Sequence, residues 1–212
     1  MKLLKIKICG ITNLDDALAA VDMGADILGF NFYPRSPRYI EPQKVEEIVN
    51  NLPGFVDTAG IFVNAPLRDI HSINADGILN WLQFHGDEPP EFCSQFRNWS
   101  TRIIKAIRVK SANSIEHAKQ YRTFAMLFDS FDPNAYGGTG KQFDWSLVEG
   151  VPQRIFLAGG INPDNVVEAI KNDVYGVDVC SGIESEPGKK DHEKMKQLFK
   201  NIYDYTVQKA RL

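Results

Sequence analysis

The sequence predicts a closed (β/α)8 barrel, and three observations carry that expectation. Short apolar runs alternate with stretches of helical periodicity eight times along the chain, and no antiparallel hairpin signal falls between them. The first strand is followed by one glycine, Gly10, and not by the three spaced glycines of an open nucleotide-binding sheet, which disfavours a doubly wound alternative. With 212 residues the chain can bury one sizeable core, so residues 1–212 read as a single compact barrel domain.

The first unit sets the pattern. From Leu4 to Cys9, Leu4, Ile6 and Ile8 fall on one face and Lys5, Lys7 and Cys9 on the other, the period of two that a strand requires. Thr12-Asn13 then opens a helix in which Leu14, Ala17, Leu18 and Val21 recur before Gly24 ends it. Later units read as strands over Ile27–Phe32, Ala59–Val63, Trp81–Phe84, Ile103–Val109, Phe124–Asp129, Ile155–Ala158 and Gly176–Val179. Helices are expected from Pro42 to Leu52, Pro66 to Ile73, Pro89 to Phe96, about Ala112 to Tyr121, Pro163 to Lys171 and about Glu193 to Lys209. After the sixth strand the loop is unusually long, reaching about Phe143, and long loops in compact domains are commonly functional.

Composition narrows the function classes. A formal net charge of -3 with both signs interspersed gives no electrostatic footprint for nucleic acid or an anionic membrane, so small-molecule partners are expected. Lysines interrupt the apolar residues of Met1-Lys2-Leu3-Leu4-Lys5-Ile6-Lys7, which argues against a signal peptide. No apolar run approaches the roughly 18 residues of a membrane span. A cytoplasmic protein is expected. Cys9, Cys93 and Cys180 are odd in number and widely spaced, against a disulfide framework or a zinc site of paired cysteines.

In a barrel of this kind chemistry sits where the strands end. Cys9 ends the first strand on the face it shares with lysines, and an ammonium lowers a thiol's pKa by favouring its charged form. Asp129 ends the sixth strand, with Ala125, Leu127 and Asp129 inward and Phe124, Met126 and Phe128 toward the helices. A thiol and an acid facing one another can take and give a proton, as an isomerase requires. Ala158-Gly159-Gly160-Ile161-Asn162 and Cys180-Ser181-Gly182-Ile183 follow the seventh and eighth strands, where such barrels hold a phosphate on backbone amides. Arg38 follows the second strand and has the planar fork that pairs with a carboxylate, whereas Arg35 reads as a solvated arginine. Gln83 and His85 close the fourth strand, either lining the cavity or packed in the core. Gly137-Gly138-Thr139-Gly140-Lys141 has neither the glycine at 135 nor the hydroxyl at 142 of a Walker loop and reads as a mobile cover. Cys93 and the three tryptophans read as packing, and nothing around Cys180 resembles a base.

Several motifs together resemble phosphoribosylanthranilate isomerase: Lys7-Ile8-Cys9-Gly10-Ile11-Thr12, Ser36-Pro37-Arg38-Tyr39, Gly60-Ile61-Phe62-Val63-Asn64, Gln83-Phe84-His85-Gly86, Gly137-Gly138-Thr139-Gly140-Lys141, Leu157-Ala158-Gly159-Gly160-Ile161-Asn162-Pro163 and Ser181-Gly182-Ile183-Glu184. The match runs in order from end to end. It implies a TIM barrel that converts N-(5-phosphoribosyl)anthranilate to 1-(2-carboxyphenylamino)-1-deoxyribulose 5-phosphate, an Amadori rearrangement in tryptophan biosynthesis that needs no cofactor and no metal. Carried over, the resemblance makes Asp129 the general acid that opens the ribose and Cys9 the general base at C2. Arg38 would hold the anthranilate carboxylate, the amides about Gly159, Gly160, Ser181 and Gly182 the phosphate, and Asp178, inward by parity, would be a further substrate contact. The expected partner is the phosphosugar-anthranilate substrate alone, with the chain a monomer or homodimer. The sequence departs from the family pattern at Cys180, where serine is more usual, and at the pair Lys189-Lys190, where a single lysine is more usual; neither is expected to touch the acid or base. Three rivals stand beside this reading. The sister histidine-pathway isomerase uses carboxylates as both acid and base, a non-catalytic phosphosugar-binding barrel would not need Cys9 with Asp129, and a thiol redox protein would need a second cysteine near Cys9.

Overall fold

The computed structural model describes residues 4–133, 136–138 and 140–210. Thr139 of the glycine-rich loop and Met1, Lys2 and Leu3 of the amino-terminal stretch lie outside the described residues. Eight parallel strands close into a barrel in sequence order: β1 (Lys5–Cys9), β2 (Ile27–Asn31), β3 (Asp57–Phe62), β4 (Trp81–Phe84), β5 (Arg102–Val109), β6 (Ala125–Ser130), β7 (Ile155–Leu157) and β8 (Gly176–Val179). Helices α1 (Leu14–Met23), α2 (Pro42–Val49), α3 (Leu67–Ile73), α4 (Pro90–Ser94), α5 (Ala112–Ala118), α6 (Val166–Lys171) and α7 (His192–Ala210) form the outer layer. The fold class and every expected strand are present.

Local chemistry explains the ends. Asn13 caps α1 by accepting from the Asp16 amide at 2.8 Å, and Gly24 ends it at φ 107°, a left-handed conformation that glycine adopts without a Cβ penalty. Pro42 opens α2 at a position whose missing N–H is unpaired in any helix. α6 begins at Val166 and not at Pro163, because Asn162 and Asn165 make a turn of their own in which Asn165 Oδ1 accepts from the Asn162 amide at 2.8 Å.

Two departures from the expected alternation matter for the site. The sixth unit has no α-helix of its own, only a 3-10 turn at Trp145–Val148 whose buried Trp145 and Val148 fill the outer layer there. After β8 a short antiparallel hairpin, β9 (Glu184–Glu186) with β10 (Lys189–Lys190), interrupts the pattern that was expected to be free of hairpins. Its strands are too short to show a period, and Pro187-Gly188 alone marks the turn.

The strand parity holds. Ala125, Leu127, Ile104, Ala106, Trp81 and Phe156 pack together inside the barrel. Ile6, Ile8, Met126 and Phe128 join the larger core between barrel and helices. Full burial of each such side chain is worth about 1.5–3 kcal/mol, so a one-residue slip of a strand, which would exchange its faces, is strongly disfavoured. Closure of the barrel pairs Lys7 with Asp178 and Ile8 with Val179 across β1 and β8. The first and last strands of the barrel are thereby paired.

Candidate active site

The carboxyl ends of the strands open on a cavity of about 360 Å3, lined among others by Cys9, Arg38, Asp129, Gly159, Asp178 and Ser181. Gly160 lines it too, while Gly182 packs behind the wall against Ile161 and Asn162. A volume of this order suits a small metabolite.

Cys9 lies at the base of the cavity, 9 % exposed. Its thiol is held well below the ordinary value: the Cys180 thiol hydrogen-bonds to it, and the Lys7 and Lys190 ammonium groups act on it against the opposing effect of burial. Lys7 is fully buried, and although burial alone would lower it, Asp178, 2.7 Å away, and Cys9 together hold its pKa above the usual value. The second cation differs from the one expected. Lys5 sits at the far end of its strand, paired with Asp26 at 2.6 Å, whereas Lys190 reaches in from β10 and donates to the Cys9 carbonyl at 2.6 Å. Both departures from the family pattern, Cys180 and Lys190, therefore do touch the candidate base. Burial pushes Asp178 up to about 7, against the pull of Lys7.

Cys180 requires a second correction. No partner cysteine near Cys9 is visible as a sequence motif, yet barrel closure sets Cys180 beside it, with Cys180 pushed well above the ordinary thiol value by its hydrogen bond with Cys9 and by burial. Cys93, in contrast, is core in α4, and burial raises it to about 12.

Asp129 is 5 % exposed and accepts from the Ser130 amide at 2.8 Å through Oδ1. His85 Nε2 stands 3.4 Å from Oδ2. The Gln83 side-chain amide lies 3.1 Å from His85 Nδ1, while the buried Nε2 has no hydrogen-bond partner among the described residues. His85 thus lines the cavity, and Gln83 is the buried residue that orients it. The glycine loop folds directly over this acid: a Cβ on Gly137, at φ 93°, would lie 2.6 Å from Asp129 Oδ2. The Tyr136 hydroxyl donates to Asp87 at 2.8 Å, and the Arg108 guanidinium lies 4.1 Å above its ring while donating to the same carboxylate at 2.7 Å. Single-residue reading had no means to find this Asp87–Tyr136–Arg108 latch, because its members come from three separate units.

Arg38 is buried and directs Nε and Nη2 at Glu184, at 2.9 Å and 2.6 Å, and Lys190 donates to the same carboxylate at 2.9 Å. Two cations hold the Glu184 carboxyl below its usual range although burial acts the other way. The remaining guanidinium nitrogen, Nη1, lies against Gly138, where a Cβ would be 2.6 Å away. A backbone cradle forms the opposite rim. Gly159 at φ 83° and Gly160 at φ 68° turn the chain after β7, and a 3-10 turn begins at Ser181 after β8. Asn165 Nδ2 donates to the Gly160 carbonyl at 2.9 Å and fixes this loop.

Comparison with known proteins agrees with this geometry. Residues 6–201 match the family described as N-(5'-phosphoribosyl)anthranilate (PRA) isomerase. An N-(5'-phosphoribosyl)anthranilate isomerase of Pelobacter propionicus is 46% identical over 201 residues, covering 93% of this chain and 95% of the relative. The crystal structure of phosphoribosyl anthranilate isomerase from Thermotoga maritima superposes with a TM-score of 0.89 at 43% identity, covering 95% of this chain and 100% of that one. A phosphoribosyl anthranilate isomerase in complex with reduced 1-(o-carboxyphenylamino)-1-deoxyribulose 5-phosphate has a TM-score of 0.84 at 41% identity, with 95% and 100% coverage.

Proposed function

The chain belongs to the N-(5'-phosphoribosyl)anthranilate isomerase family and is an isomerase of tryptophan biosynthesis, and from that premise we propose how its cavity carries out the Amadori rearrangement. Asp129 protonates the ring oxygen of the ribose, and the sugar opens to a protonated imine. Cys9, as thiolate, removes the proton from C2 and yields an enol amine, which tautomerises to the keto product. The observation that carries this division of roles is the pair of side chains at the carboxyl ends of β1 and β6, Cys9 and Asp129, both lining one cavity. Lys7 and Lys190 make the thiolate available, and the Ser130 amide holds the acid with His85 beside it.

The substrate phosphate is assigned to the cradle of Gly159, Gly160 and Ser181, whose amide N–H groups donate to an anion without a full cation; Gly182 lets the second loop pack closely behind them. Arg38 is assigned to the anthranilate carboxylate through Nη1, with Glu184 holding the fork in place. Asp178, paired with Lys7, serves the thiolate first and meets the sugar only at the cavity floor. The setting is assigned to the cytoplasm; no helix among the described residues is long and apolar enough to cross a membrane. Cell fractionation checks that assignment, and recovery with the membrane or exported fractions would refute it.

Two outcomes follow from the electrostatics. Arg38→Lys keeps a charge but loses the fork, so KM rises about tenfold, equal to about 1.4 kcal/mol of binding, with kcat less affected; steady-state kinetics in which KM stays at the wild-type value would remove Arg38 from the carboxylate. Lys7→Met removes a cation from beside Cys9, and that change disfavours the thiolate. The Cys9 pKa therefore rises, and the acid limb of the kcat/KM profile moves about one unit or more toward alkaline pH. A profile in its wild-type place would separate Lys7 from the base. The activity itself is tested with freshly generated phosphoribosylanthranilate, whose fluorescence decays in proportion to added protein; decay at the spontaneous rate would contradict it.

A further inference from the structure

The proton-transfer scheme leaves one nucleophilic group unused. Ile8 and Val179 are paired across β1 and β8, so the next residues, Cys9 and Cys180, leave adjoining strands side by side. Neighbouring strands lie about 4.8 Å apart, inside the roughly 4.4–6.8 Å between Cα atoms that a disulfide spans. Both residues line the cavity and are reached from it. Lys190 ties the two positions together, donating to the Cys9 carbonyl at 2.6 Å with its ammonium 4.0 Å from the Cys180 sulfur. The third cysteine, Cys93, is 4 % exposed within α4 and has no place among the cavity residues.

We propose that Cys9 and Cys180 form an oxidation site, at which hydrogen peroxide closes a disulfide across the cavity floor and switches the isomerase off until a thiol reductant reopens it. The chemistry balances in two steps. The Cys9 thiolate attacks one peroxide oxygen, the O–O bond breaks, and hydroxide leaves, so Cys9 becomes a sulfenic acid. The Cys180 sulfur then attacks the Cys9 sulfur; the S–O bond breaks, and the oxygen leaves as water with the Cys180 proton. Two thiols and one peroxide give one disulfide and two waters. The depressed pKa of Cys9 favours the first step, because the thiolate is the reacting form. The neighbouring Cys180 favours the second, because a resolving thiol in contact outruns overoxidation.

Loss of activity on closure rests on the assignment of Cys9 as the base, and the experiment separates the two statements. The purified wild-type protein is treated with hydrogen peroxide, assayed, and mapped by non-reducing peptide mass spectrometry before and after dithiothreitol. The expected result is a Cys9–Cys180 cross-link with a mass lower by about 2 Da, activity down at least about tenfold, and recovery on reduction. In Cys180→Ser the same treatment drives Cys9 beyond the sulfenic acid, and dithiothreitol no longer restores that variant to its own starting rate. Oxidised wild-type protein with no Cys9–Cys180 cross-link would overturn the oxidation site. A cross-linked protein with full activity would instead overturn the role of Cys9 as base, and with it the switch.

Discussion

Cys9→Ala lowers turnover at least about a hundredfold while product affinity stays nearly intact, because the change removes the proposed general base and little binding surface. The thiol is 9 % exposed at the cavity floor, and the groups around it favour its charged form over its neutral one. Cys9→Ser sharpens the test. A hydroxyl is far too weak an acid for two ammonium groups to ionise, so serine stays close to the alanine rate if the thiolate is the reacting species. Were serine to restore turnover to within about threefold of wild type, a hydrogen bond and not a base would be what position 9 supplies.

Asp129→Asn gives a comparable loss, about a hundredfold or more in kcat. Asparagine keeps the shape and retains an oxygen to accept from the Ser130 amide, but it has no proton to give to a sugar oxygen. The acid acts only as the ring opens, so kcat and kcat/KM should fall together. A rise in KM with kcat unchanged would make Asp129 a binding group. The glycine loop offers an independent check on position, since Gly137 lies on the carboxylate where a Cβ would meet Oδ2 at 2.6 Å.

The placement of both side chains at the cavity was legible in the sequence, for one physical reason. A strand alternates its faces, so the apolar positions Ile6 and Ile8, or Met126 and Phe128, say which way the polar residue at the strand's end must point. The glycine turns proposed to hold the phosphate were legible for a similar reason, because a tight turn after a strand needs residues that tolerate positive φ, as Gly159 and Gly160 do. Beyond Lys7, which strand parity already placed on the face of Cys9, what surrounds the thiol was not legible. Lys190 is 181 residues from Cys9 and comes from a two-residue strand, and Glu184, which holds Arg38, is 146 residues from its partner. Cys180 meets Cys9 only because β8 closes on β1. Contacts of this kind carry no local period or spacing; they exist once the barrel is closed and not before. The same holds for the buried pair Lys105 and Glu88, 2.7 Å apart, which pins the turn after β4 where His85 sits.

The most direct test of the central claim is the rate at which iodoacetamide alkylates Cys9, measured against pH and set beside kcat/KM over the same range. A thiolate base predicts one shared inflection in both curves, well below the ordinary thiol value of about 8.5. Alkylation that inflects at the ordinary value, or a kcat/KM profile that passes through the Cys9 inflection without change, would contradict it.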